Sequence, residues 1–440
     1  MQDYFRDVAA ELGSLLRGDE VFTCSFAGED SDFVRFNRGA IRQAGSVSQR
    51  SLGIDLIEGR RHVGGRVSLV GHLDEDRATL ARAVERFREM RAHVPEDPLL
   101  SYAQDVKSTE HEAENHLPSS ERVLDDAAAA GREHDLVGIY AAGGTYAGFA
   151  NSLGQHNWDR RYSYNFDWSF YRTADRAAKA SYAGFDWDTA EFQLRVDAAS
   201  DQLEHLGRTP RTIEPGRYRV FLAPAALLEI FEMLSWGGFG LRAHRTKTTP
   251  LLRMIEGEER LHPSVSIREN TRDGVAPAFQ DAGFLRPAEV PLITGGEHAG
   301  TLVSPRSALE YGEPTNGANG AEAPLSVELA PGNLSRDRVL DELGTGIYIS
   351  NLWYLNFSDR SACRTTGMTR FATFWVENGV LDAPLSVMRF DETIFRMLGE
   401  NLIGLAEDRE LLMDPGTYDR RSTHSARLPG ALVDEFTLTL

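Results

Sequence analysis

The chain has 440 residues, 41% of them apolar and 26% charged, and a formal charge of -19. That length allows two or three domains with sizeable cores. The acidic balance argues against nucleic acid as a partner, because contact with a phosphate backbone calls for a dense basic surface.

No apolar run has the length of a membrane span, since "APAALLEIFEML" is interrupted by Glu229 and Glu232. The first turns carry Asp3, Arg6, Asp7 and Glu11, unlike a secretory leader. Two cysteines, Cys24 and Cys363, make neither a disulfide framework nor a C-x-x-C metal site. These features place the chain in the cytoplasm, with no membrane partner.

In chain order, "YFRDVAAELGSLL" sets Tyr4/Phe5, Val8, Leu12 and Leu15/Leu16 at helical spacing. Short alternating runs follow: "VFTCSF", "DFVRFN", "SLGIDLIE" and "HVGGRVSLVG", punctuated by Gly, Asp and Asn as in hairpins. "LDEDRATLARAVERFREMRAHV" predicts a helix, acidic at its start and arginine-rich toward its end, as the helix dipole favours. Residues 1–95 therefore read as a small α+β domain, and the prolines of "VPEDPLLSYAQ" mark a linker.

A second domain is expected over residues 110–210. It opens on "HEAENH" and continues with a helix, "SSERVLDDAAAAGR". In "RRYSYNFDWSFY", Tyr162, Tyr164, Phe166, Trp168 and Phe170 alternate with polar residues. Period two over that length predicts a strand whose aromatic face packs on a helix or a second sheet.

Residues 215–440 read as a β-rich third domain: a strand "RYRVFLAP", a helix "AALLEIFEMLSWGGFG", and strands "GTGIYISNLWYLNF", "TRFATFWVENG" and "LPGALVDEFTLTL". A helix "DETIFRMLGENLIGL" is expected between the last two. The fold class is α+β, with mostly antiparallel sheets and packed helices.

"HEAENH" has the letters of a zinc site, His111, Glu112 and His116. On a regular helix the two histidines would lie about 140° apart, whereas zinc needs them on one face. The string has no apolar periodicity and sits beside the linker, so it reads as a solvated decoy rather than a metal site.

The run "GIYISNLWYLNFSDRSACRTTGMTRFATFWVENG" and the "MRF" segment after it resemble the C-terminal region of the TldD/PmbA (TldD/TldE) family of metallopeptidases. "FVRFNRGAIRQAGSVSQRSLGIDLIEGRRHVGGRVS" is similar to that family's first domain. The resemblance implies a dimer around an enclosed cavity, in which a TldD-type subunit carries zinc and a TldE/PmbA-type subunit does not. It implies action on unstructured peptides or on leader peptides. It also implies that the zinc ligands lie on a His-Glu-x-x-x-His helix just after a strand like "RYRVFLAP", with a cysteine near the C-terminus.

Here the matching helix holds Glu229 and Glu232 and no histidine before His244. The matching late segment holds Asp419 and His424 and no thiol, and Cys363 falls too early. The expectation is therefore a zinc-free TldE/PmbA-like subunit that binds no cofactor itself, with zinc in a TldD-like partner and an extended peptide as ligand. Two alternatives are a stand-alone homodimeric binding or regulatory protein, and a self-sufficient peptidase using "HEAENH".

"AHRTKTTPLL" resembles a basic segment of the metal-free subunits, which makes Arg245, Lys247 and Thr248 candidate cavity residues; Lys247 is one of three lysines, with Lys107 and Lys179. Asn351, Tyr354, Arg370 and Asn378 are candidates from the family-like run. Asp359, Glu377 and Asp391 are acidic residues whose spacing assigns no role.

Overall fold

Helix α1 (Gln2–Ser14) buries Phe5, Val8, Ala9 and Leu12, the stripe its spacing predicts. It packs with α2 (Leu73–Arg91) on strands β1 (Val21–Asn37), β2 (Ala40–Glu58) and β3 (Arg61–Leu69) around one apolar cluster. These features come from a computed structural model that describes residues 1–173 and 176–440. The runs "VFTCSF" and "DFVRFN" are not separate strands: both lie within β1, which pairs β2 along its whole length.

Strand β4 (Thr109–Glu112) precedes α3 (Ser120–Gly131), which is capped by the Ser119 hydroxyl. Strands β5 (Asp135–Asn151), β6 (His156–Thr173) and β7 (Arg176–Gly184) follow, and then α4 (Thr189–His205). The first sheet has the order β3-β2-β1-β5-β6-β4, with β7 also paired to β6. It therefore draws strands from both the 1–95 and the 110–210 segments. Tyr164, Phe166, Trp168 and Phe170 are fully buried against α4 residues Phe192 and Val196, as the alternation predicts. Helix α4 itself has no assignment in the sequence analysis.

The second half opens with β8 (Gly216–Leu222) and α5 (Pro224–Ser235), which starts on proline at a position where no amide hydrogen is needed. The helix ends at Ser235, short of the "GGFG" expected to continue it, where Gly237 takes φ 77°. Short helices α6 (Leu241–Arg245) and α7 (Leu252–Ile255) lead to β9 (Ile267–Asn270), β10 (Glu289–Thr294) and β11 (Glu297–His298). Then come α8 (Pro305–Tyr311), β12 (Ser326–Leu329), α9 (Val339–Leu343) and the long hairpin β13 (Gly346–Asp359) and β14 (Arg364–Glu377). Strands β15 (Val380–Pro384), β16 (Arg389–Thr393), β17 (Leu402–Met413) and β18 (Ser425–Leu438) complete the chain.

The second sheet runs β11-β10-β9-β12-β18-β16-β14-β13-β8, and β8 also pairs β18, so five strands close into a ring. Val220, Leu222, Ile347, Ile349, Phe390, Val433 and Phe436 belong to the core cluster it shares with α5. Phe374 from β14 joins the aromatic cluster of the first sheet, tying the two halves together.

The expected helix over "DETIFRMLGENLIGL" is cut to a short helical stretch. Residues 389–393 are strand β16, residues 394–400 are helical with π geometry over Arg396–Glu400, and β17 begins at Leu402. Gly399, at φ -112° and ψ -110°, breaks the helical path, and pairing of β16 with β14 outweighs the local helical pattern.

The segment between β17 and β18 leaves its own sheet and docks on the first one. Arg421, buried there, donates to the Gly143 carbonyl at 3.1 Å and to the carbonyl and hydroxyl of Ser163 at 2.8 and 2.7 Å. Its amide donates to Glu29. Every bond of this guanidinium crosses from one half to the other, which makes the segment a latch.

Candidate functional site

Helix α5 turns Ala226, Leu227, Ile230, Phe231 and Leu234 into the core. A helix with that stripe must show its i, i+3 partner face to the other side, and there stand Glu229 and Glu232. Burial, helped by the neighbouring Glu232, pushes the Glu229 carboxyl up to about 7 against the opposing charge of Lys179. Glu232 is raised by crowding from the surrounding protein and then by Asp414, although its side chain is exposed. Among the described residues neither side chain has a hydrogen bond or ion pair. Lys179 reaches in from β7, paired with Asp167 at 2.9 Å and 5.8 Å from the Phe371 ring.

Zinc does not fit this donor set. The face offers two carboxylates three residues apart and no nitrogen or sulfur donor, whereas a catalytic zinc takes three protein ligands, carboxylate only beside imidazole or thiolate. The first histidine beyond the helix, His244, is hydrogen-bonded to the Gly238 carbonyl at 2.7 Å, and burial pushes its ring down to about 4. Among the described residues no group of three or more His, Cys, Asp or Glu could hold a metal ion. Cys363 is a buried core residue whose thiol burial pushes up to about 12.

The seven candidates from sequence fall into three places. Asn351, Tyr354 and Arg370 come together on the β13–β14 hairpin, where Asn351 and Arg370 are register partners. Arg370 lies over Trp353 at 3.9 Å and near Phe371 at 5.0 Å, and Trp353 and Tyr354 are 5.7 Å apart. Tyr354 and Phe371 both take φ 58°, and the register of β13 against β14 shifts around Tyr354, which turns these side chains away from regular alternation. Trp353, Arg370, Phe371, Met368 and Val387 line a recess of about 430 Å³.

Arg245 ends α6, and Lys247 and Thr248 follow it. Arg245 pairs with Glu313, and Lys247, largely exposed, pairs with Glu256 at 2.8 Å. The Thr248 carbonyl accepts from Arg360 at 2.8 Å, and Arg360 lies over Trp236 and Phe357. Asn378 stands apart at the β14–β15 turn, at φ 51°.

"HEAENH" is not wholly a linker: its first two residues lie in β4, paired in parallel with β6. His111 is 3.3 Å from Asp159, and His116 is 3.4 Å from Glu114. Glu112 is tied to Arg160 and to the Trp158 indole, both at 2.5 Å. These partners hold the three residues apart.

Sequence reasoning missed Trp353 and Phe371, placed by the register shifts of β13 against β14 and the positive φ of Tyr354 and Phe371, and Trp236 and Arg360, which meet only in the fold. The aromatic doublet "WY" in a strand run was the available signal.

The chain is thus a two-sheet α+β protein with a five-strand ring and a carboxylate-bearing helix directly after the ring strand β8. The chain belongs to the PmbA/TldA metallopeptidase family, whose C-terminal domain model matches residues 215–440. Its fold is similar to that of a Thermotoga maritima MSB8 protein described as a modulator of a DNA gyrase, with 17% identity, 100% coverage of both chains and a TM-score of 0.77. It is similar to TldE from Thermococcus kodakarensis at 13% identity, covering 99% of this chain and 100% of that one, with a TM-score of 0.77. A modulator of DNA gyrase from Bacteroides thetaiotaomicron VPI-5482 has 13% identity, coverage of 99% and 98%, and a TM-score of 0.72. A comparison with curated proteins gave no match. No helix among the described residues is long and apolar enough to cross a membrane.

Proposed function

We propose that this chain is the zinc-free, TldE/PmbA-like subunit of a cytoplasmic TldD/TldE-type peptidase complex. It closes a cavity around an extended peptide, whether an unstructured chain or a leader segment, while a TldD-like partner carries the zinc. The observation that carries this reading is the polar face of α5, which bears Glu229 and Glu232 where a catalytic member needs imidazoles. Arg245, Lys247, Thr248, Asn351, Tyr354, Arg370 and Asn378 are the proposed cavity residues.

Strand β2 supports the peptide part. Its first ten residues, 40–49, pair only with β1, because β3 pairs residues 50–58. The outer edge of that stretch has no partner among the described residues. A free edge accepts an extended peptide through backbone hydrogen bonds with little demand on its sequence.

Two measurements test the proposal. The chain alone should not hydrolyse an unfolded peptide, with or without added zinc. Mixed with a His-Glu-x-x-x-His-bearing relative, it should form a heterodimer by native mass spectrometry that does. Chelator-sensitive hydrolysis by the chain alone would contradict it, and a homodimer that never exchanges would favour a stand-alone binding protein.

A further inference from the structure

The two halves enclose a second recess, of about 520 Å³, away from α5 and from the β13–β14 hairpin. One wall is a row across the second sheet. Arg268 of β9 is the register partner of Glu328 of β12, which is the register partner of Arg427 of β18. Arg409 of β17 joins the row by pairing with Glu328. Arg272 follows β9, and Arg161 of β6 faces the row from the first sheet beside His111. The first histidine of "HEAENH" thus lines a cavity.

Most of these arginines are structurally engaged. Arg161 is held by Asp159 at 2.9 Å and by the Gly274 carbonyl at 2.6 Å. Arg268 bridges Glu289 at 3.0 Å and Glu328 at 2.7 Å, and Arg272 reaches Glu289 at 3.3 Å. Glu328, 3% exposed, is saturated by Arg268, Arg409 and Asn270. Arg427 is different. It is half-buried on the same wall, and among the described residues its guanidinium has no hydrogen bond and no ion pair. An unpaired half-buried cation, in a protein carrying -19 overall, has lost hydration with nothing protein-based in return.

We propose that this recess, lined also by Asp273 and Glu328, binds a carboxylate ligand, with Arg427, the one arginine of its lining without a partner among the described residues, making the two-pronged contact. The guanidinium fork matches a planar carboxylate with two parallel N–H···O bonds. The volume falls within the range of ordinary small-ligand sites, roughly 300–1,000 Å³. The carboxylate belongs either to the C-terminus of a peptide or to a free small dicarboxylate.

Calorimetric titration of the full chain with acetyl-dialanine, its C-terminal amide, succinate and inorganic phosphate tests this. The expected result is saturable binding of acetyl-dialanine or succinate, stronger at low salt, and loss of binding for the amide. Preference for acetyl-dialanine assigns the site to a peptide terminus, and preference for succinate to a free acid.

Arg427→Gln should weaken binding by roughly tenfold or more with an unchanged melting curve, and Arg427→Lys should fall between. Four results would each overturn the assignment: equal binding of acid and amide, preferential binding of phosphate, no saturable binding, or full affinity in Arg427→Gln. The titration uses this chain alone, so its outcome is separate from whether a zinc-bearing partner exists.

Discussion

Glu20 and Glu229 are both crowded by protein, and they respond in opposite ways. Burial of Glu20 would raise its carboxyl, but hydrogen bonds from Arg88 at 2.7 Å, the Arg17 amide at 2.9 Å and Arg91 at 2.9 Å bring it down to about 2. Burial raises Glu229 too, and nothing bonds to it, so it stands at about 7. Glu269, Glu328 and Glu392 resemble Glu20, each saturated by an arginine together with backbone or side-chain donors. Carboxylates whose partners are complete hold the fold together. Unpaired, partly buried ones mark a surface kept for something else.

The largest effect should come from breaking the saturated member. Glu20→Ala removes the buried acceptor that Arg88 and Arg91 share, leaving Arg88 to Glu85 and Arg91 to Glu58, and should cost about 3 kcal/mol in a urea melt. A loss below about 1 kcal/mol would show that this network contributes little.

The two glutamates should also have opposite pH signatures. The folded-state pKa of Glu20 lies below its ordinary 4.5, so its stabilisation is complete above pH 4.5 and is lost as pH falls from there toward 2. The pKa of Glu229 lies above 4.5, so the folded state keeps a proton that the unfolded chain releases, and stability falls as pH rises from 4.5 to 7. Glu229→Gln should therefore be more stable than the parent above pH 7 and equal to it below pH 4.5. The gain should be about 1–2 kcal/mol, because solvent reaches one side of the group. A pH-independent difference in melting would contradict the unpaired state of Glu229.

Smaller effects test the surface candidates. Arg370→Ala should lose about 0.5–1 kcal/mol and alter Trp353 fluorescence, since the guanidinium covers that ring. Lys247→Ala should leave the melting midpoint unchanged, because its only partner is an exposed Glu256. A clear shift there would mean that this pair is more than a surface contact.

The parts of the fold that were legible in sequence are those where local pattern and tertiary contact agree. The stripe of α1, the charge bias of α2 and the aromatic alternation of β6 lead to the elements observed. Where the two conflict, the pattern misleads. Ile394, Phe395, Met397 and Leu398 fit a helix and lie in one, but it cannot extend: β16 before it is claimed by β14, with Glu392 fixed by Arg396 and Thr437, and β17 begins at Leu402.

The candidate site divides the same way. The missing histidines of α5 could be read directly. The recess around Arg370 could not, because it depends on the positive φ of Tyr354 and Phe371, and the recess beside His111 forms only where the two sheets meet.

Metal content tests the central claim most directly. The chain, purified without chelator and dialysed against zinc, should carry no stoichiometric zinc, and replacing both Glu229 and Glu232 with Gln should leave that result unchanged. One zinc per chain, retained through dialysis and lost in that double variant, would contradict the zinc-free assignment and make α5 a metal-binding helix.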